Sequence, residues 1–145
     1  EREIVTNTEI VEVEKEVINY KALNAQELLN FMRIVESEVT SGRLDQKLNV
    51  AHVILNRVES ESFPNTINEV IFQDGQFSPI SDKRFYSIKV PDDTAKAVTM
   101  ALGGENRHSS LYFMVRRWSG ENNVKWFDEK LEFTFNDGLH EYFKE

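Results

Sequence analysis

Cysteine is absent from the 145 residues, which removes disulfide staples, zinc–thiolate sites and thiol nucleophiles without assigning a compartment. Proline and glycine are sparse, at three and six residues, and no internal repeat or low-complexity segment breaks the chain. No apolar run approaches the roughly 20 residues that span a bilayer, so no membrane segment is expected. No cleavable signal pattern is present either. The chain opens on Glu rather than Met, as expected of a mature form or an excised piece. Cations are in the minority, and the formal net charge of −8 argues against nucleic acid, whose phosphates need clustered Lys and Arg.

What is present suits one globular domain: 40% hydrophobic residues can close a single core at this length. The charge is uneven. Residues 1–20 carry six Glu against Arg2 and Lys15, half of the net excess, and contain neither Gly nor Pro. They read as an acidic linker or an appended strand, with a charged helix also open, and residues 21–145 read as the working domain.

Helical signals come first. Asn24, with Glu27 three positions later, has the capping-box arrangement that satisfies orphan amide donors, and Leu28, Met32, Val35 and Val39 follow at helical spacing. Ser41-Gly42 is the expected stop. A second helix is expected from Asp45 to Val58, apolar over most of its circumference and therefore central. Phe63-Pro64-Asn65-Thr66 is a turn into a short helix through Val70 and Ile71. Gln73 to Val90 reads as a long irregular loop, a kind that often carries function. Pro91-Asp92-Asp93 starts a third helix, Thr94 to Leu102, stopped at Gly103-Gly104. Four short strands are expected after it: Leu111–Val115, Val124–Phe127, Leu131–Phe135 and His140–Phe143. The fold class is α+β, helices first and a small antiparallel sheet in the C-terminal part.

Chemistry centres on two acids of the first helix. At about 100° per residue, Glu38 falls on the flank of the apolar face, near Phe31, Ile34 and Val35. A carboxyl among apolar neighbours loses hydration, its pKa rises, and it can serve as a general acid near neutral pH. A boundary glutamate reaching to solvent fits the same pattern. Glu36 lies about 200° away with Arg33 three residues before it, the pattern of a solvated helix pair. Other constellations are weak. His52, His108 and His140 lack metal-like spacing, and His52 reads as a satisfied core or boundary histidine. There is no Gly-x-Ser-x-Gly and no phosphate-binding glycine loop, so neither a metal nor a cofactor is expected. Arg116-Arg117-Trp118 and Lys125-Trp126 interleave bases with aromatics; in an acidic chain this suits sugar stacking or sheet packing.

Five blocks then occur in order: Arg33 to Glu38, Val50 to Val58 (Val-Ala-His-Val-Ile-Leu-Asn-Arg-Val), Phe63-Pro-Asn-Thr-Ile67, Val70-Ile-Phe-Gln73 and Gly75-Gln-Phe-Ser-Pro-Ile-Ser-Asp82. Together they resemble the cell-wall hydrolase family typified by the catalytic domain of Bacillus spore cortex-lytic enzymes. Leu111-Tyr-Phe, Lys125-Trp-Phe127 and Gly138-Leu-His140 resemble weaker features of it. Counted back from Asn56-Arg57 without a gap, the family's catalytic glutamate lands on Glu38. The chain departs from the family after that residue, where Val39-Thr40-Ser41-Gly42 replaces a Gly and a second Glu, and at Met114-Val115-Arg116.

The resemblance implies a compact lysozyme-like domain that works outside the cytoplasm, in the cell wall or spore cortex. Its partner is the peptidoglycan glycan strand, and its reaction is single-glutamate lytic transglycosylation. Alternatives are a muramidase-like hydrolase using water, and a non-catalytic peptidoglycan-binding module. Gln76, Ser78, Ser81, Tyr112 and Trp126 are the expected sugar contacts, Trp126 being divided between core and cleft. Phe77 is a candidate to anchor the loop inward, and Asp82 is the one further acid to watch.

Overall fold

The structure, a computed structural model, describes residues 23–145, so the acidic segment 1–20 lies outside the described residues. Helix α1 (Ala25–Glu38) begins where the cap signal places it, Asn24 Oδ1 accepting from Glu27 N at 2.8 Å. Only half of the expected box forms. Glu27 turns its carboxylate to Asn68 N, 3.2 Å away, and thereby joins α1 to helix α3 (Ile67–Ile71).

Helix α2 (Leu44–Glu59) is buried almost all round and is the central element. Its first turn is tied to the far end of the chain: Arg43 N donates to Gln46 Oε1 at 2.9 Å, and Arg43 Nη2 donates to Asp137 O at 2.7 Å. Between α1 and α2 the chain turns so tightly that a Cβ on Gly42 would lie 2.3 Å from Val39 Cγ1, which restricts that position to glycine. Helix α5 (Asp92–Leu102) packs along α2, with acids in its first turn where the helix dipole favours them. Phe31, Ile34 and Val35 of α1, Val50, Ile54 and Leu55 of α2, Val70 and Ile71 of α3, and Ala97 and Val98 of α5 share one core. Each such large side chain contributes roughly 1.5–3 kcal/mol when fully buried.

The segment read as an irregular loop is only partly so. It holds a one-turn helix α4 (Ser78–Ser81) and a 3₁₀ turn (Arg84–Tyr86), separated by Asp82 and Lys83, the latter at φ 75°. The C-terminal part is a three-stranded antiparallel sheet in the order β1 (Tyr112–Met114), β3 (Glu141–Lys144), β2 (Glu132–Asn136). The expected strand at Val124–Phe127 does not exist. Residues Glu121–Lys130 form helix α6, opened by Gly120. Val124, Phe127 and Leu131 are three and four residues apart, a helical period, and pack as one face on Met114, Tyr112 and Phe143. Arg116 clamps this segment to the sheet, bidentate to Asp128 at 2.9 and 3.0 Å and to Glu141 at 2.9 Å. Two packed bodies result, a helical core and a sheet with α6, and a groove runs between them. No described helix is long and apolar enough to cross a membrane.

Candidate active site

Glu38 is the last residue of α1 and lines a cleft of about 800 Å³ at that groove. Gln76, Ser78, Ser81, Tyr112 and Trp126, the sugar contacts expected from sequence, line the same cleft. They come from α4 and its approach, from β1 and from α6. Arg57, Arg84, Asn123 and His140 line it as well, and the sequence reading did not single them out as site residues; Trp118, which the sequence divides between sugar stacking and sheet packing, lines it too. Phe77 packs inward, its ring 6.3 Å from Phe113, and so anchors the approach to α4.

Burial pushes the Glu38 carboxyl up from 4.5 to about 7. Arg84 and then Arg57 pull it back in part, and Asp82 adds a smaller push upward. Asp82 itself is not in the cleft lining. It is held by Arg84, whose backbone amide also donates to Asp82 Oδ1 at 3.1 Å. Glu38 is therefore the only carboxylate among the described residues that line the cleft.

Arg57 explains why Asn-Arg stands at the end of α2. Its Nε donates to Leu111 O at 2.8 Å and its Nη1 to Gln76 Oε1 at 3.1 Å. The guanidinium lies over three rings, Phe63 at 4.5 Å, Phe77 at 5.3 Å and Tyr112 at 5.4 Å. Burial lowers its pKa to about 10, against support from Tyr112 and Glu38, so it stays charged near neutral pH. Asn56 donates to His108 O and Ser110 O, both at 2.9 Å, and so fixes the segment that leads into β1 at Tyr112. One arginine thus orients Gln76, supports Tyr112 and adds a positive field that acts on Glu38. A signal for it was present in the Asn-Arg-Val block.

Glu36 corrects the sequence reading. It does not pair with Arg33 in solvent but is buried on the opposite side of α1, 2.9 Å from Lys47 Nζ and accepting from Thr94 Oγ1. Lys47, 1% exposed, also reaches Asp93 at 3.0 Å. Burial pulls its pKa down, but hydrogen bonds to Glu36 and Asp93 outweigh this and the net shift is upward. Glu36 Oε2 also accepts from Ser41 N at 3.4 Å, just after the turn that ends α1. The pair locks α1, α2 and α5 together behind the helix end that carries Glu38.

His52 is a second correction: it is fully buried, yet neither ring nitrogen has a hydrogen-bond partner among the described residues. Burial holds its pKa near 4, so the ring is neutral, and it packs edge-on against His108 at 5.4 Å. His140, also neutral for the same reason, contributes to the cleft floor beside Phe113. No group of three acidic or imidazole side chains among the described residues is placed to hold a metal.

Residues 42–143 match the family described as Cell Wall Hydrolase. The chain belongs to that family. A spore cortex-lytic enzyme of Bacillus cereus is 46% identical over 66 residues, 44% of this chain and 25% of that protein. One from Halalkalibacterium halodurans is 43% identical over 58 residues, 39% of this chain and 17% of the relative. The matched part thus spans a quarter or less of these relatives. Among solved structures, the catalytic domain of the germination-specific lytic transglycosylase SleB from Bacillus anthracis superposes with a TM-score of 0.75 at 27% identity, covering 86% of this chain and 98% of that domain. The SleB catalytic domain from Bacillus cereus gives 0.69 at 28% identity, covering 83% and 91%. The helices-first α+β order is therefore that of a known cell-wall enzyme domain.

Proposed function

We propose that this domain cleaves the β-1,4 bond between N-acetylmuramic acid and N-acetylglucosamine in peptidoglycan, with Glu38 as its single acid and base. The observation that carries this reading is the cleft with one carboxylate, half protonated near neutral pH. Two-carboxylate glycosidases need a nucleophile or a water-activating base across the bond, and the described lining offers no second carboxylate.

Protonated Glu38 donates to the glycosidic oxygen, and the N-acetylglucosamine leaves with its hydroxyl restored. The muramic residue's own N-acetyl group stabilises the anomeric carbon. Its C6 hydroxyl then attacks, and the Glu38 carboxylate takes the proton, so no water is consumed and a 1,6-anhydro sugar results. Arg57 and Arg84 offset the charge on Glu38 between the two steps. Gln76, held by Arg57, and Ser78, Ser81, Tyr112 and Trp126 hold the sugars by hydrogen bonds and ring contact. Such an enzyme acts outside the cytoplasm, on wall or cortex.

Purified peptidoglycan incubated with wild-type and Glu38→Gln protein tests this, with mass spectrometry of the soluble products. Anhydro muropeptides from the wild type alone are expected. Equal release by both proteins would remove Glu38 from the mechanism, products heavier by one water would make the domain a hydrolase, and no release from either would leave a binding module.

A further inference from the structure

Two tryptophans occur in the whole chain, Trp118 and Trp126, and both line the cleft. Trp126 is 43% exposed and meets Tyr112 edge-on at 5.8 Å, so it continues the aromatic wall that begins at Arg57. Trp118 is 70% exposed, the most exposed large hydrophobic residue described. Packing does not account for it. It sits on a 3₁₀ turn (Arg116–Trp118) that buries no residue, yet the turn is held firmly by the Arg116 ion pairs to Asp128 and Glu141. Arg117 lies over the indole at 4.5 Å from its centroid, which restrains the ring without burying it. An exposed indole costs solvation at a surface unless something covers it, and here the surface is the wall of a cleft that also offers Ser119 and Asn123 as polar partners.

We propose that Trp118 is the stacking platform of an additional sugar-binding subsite, so that the cleft grips the glycan strand beyond the two sugars whose bond is cut. This rests on the reading that the cleft takes a glycan. Pyranose rings present a patch of axial C–H groups that an indole face accepts, while their hydroxyls and N-acetyl groups suit Ser119 and Asn123. A cleft of about 800 Å³ is near the upper end of the range for small-ligand sites, roughly 300–1,000 Å³, and has room for more than one ring.

The test uses Glu38→Gln protein, so that binding is read whether or not Glu38 is the acid. Soluble N-acetylglucosamine oligosaccharides, a disaccharide and a longer oligomer, are titrated while tryptophan emission is followed. Adding Trp126→Phe leaves Trp118 as the sole tryptophan. Its emission should then shift on saturation with the longer oligomer, and Trp118→Ala, with Trp126 intact, should weaken that oligomer about five- to tenfold, more than it weakens the disaccharide. Trp118→Phe should recover part of the loss. An unchanged emission from Trp118 at saturation, or equal affinity of Trp118→Ala and its parent for the longer oligomer, would overturn the subsite. If the peptidoglycan digestion fails while these titrations succeed, the chemistry is wrong and the subsite stands.

Discussion

Glu36 and Glu38 are separated by one residue on the same helix end, and the fold uses them in opposite ways. Glu36 faces the junction of α1, α2 and α5, where Lys47 supplies the opposite charge and Thr94 a hydroxyl. Glu38 faces the groove between the helical core and the sheet, with no hydrogen-bond donor among its described contacts and two arginines that act only through their field. Both carboxyls lose water. The difference is a bonded counter-charge: Glu36 has one and serves as a structural tie, whereas Glu38 has none among the described residues and burial raises its pKa.

The largest effect should come from removing the cleft carboxylate. Glu38→Gln is expected to lower the initial rate of muropeptide release about 10²–10⁴-fold while the protein stays folded. A loss under threefold would mean that Glu38 is no more special than a surface glutamate. Its neighbour should behave the other way round. Glu36→Ala leaves Lys47 buried with only Asp93 and Thr94, and breaking a buried pair by removing one partner costs about 3–5 kcal/mol. Urea unfolding should show that loss, and the double variant Glu36→Leu, Lys47→Met should regain much of it. If the single variant is as stable as wild type, the two carboxylates do not differ as argued.

Much of this layout was legible in the sequence because it depends on local pattern. Asn24, the periodicity of α1 and α2, and the acids at the start of α5 act within one or two turns, and those helices stand where they were expected. Helix α6 was misread because Val124, Trp126 and Phe127 look like a strand in isolation; Leu131 completes a helical face only against the sheet. Glu36 was misread for a related reason. Arg33 is its neighbour in sequence, whereas Lys47 and Thr94 arrive from other helices. The partial burial of Glu38 could be argued from helix geometry, but its field could not. Arg84 lines the cleft from a 3₁₀ turn that follows Lys83 in a left-handed conformation, which no residue near it announces.

The cleft carboxyl also leaves a mark on stability. Its folded pKa of about 7 stands above the ordinary 4.5, so the folded state takes up a proton between those values. Stability contributed by this site is complete below about pH 4.5 and is lost as pH rises through 7. Glutamine does not titrate. Glu38→Gln should therefore unfold like wild type near pH 4 and be more stable above pH 7, by an amount on the order of 3 kcal/mol. A gap that is constant across this range would show that no proton is taken up on folding.

The finest contrast lies in the charges that face Glu38 without bonding to it. Arg84→Gln removes the larger of its two cationic influences and should raise its pKa, whereas Asp82→Asn removes a nearby anion and should lower it. Activity needs the protonated acid, so the alkaline limb of the pH–rate profile should move to higher pH in the first variant and to lower pH in the second. Neither change should alter unfolding by more than about 1 kcal/mol, because the Asp82–Arg84 pair is exposed. Shifts of opposite sign at constant stability would separate field from packing. If both limbs stay where the wild type has them, desolvation alone sets the proton on Glu38, and the arginines of the cleft are there for the substrate.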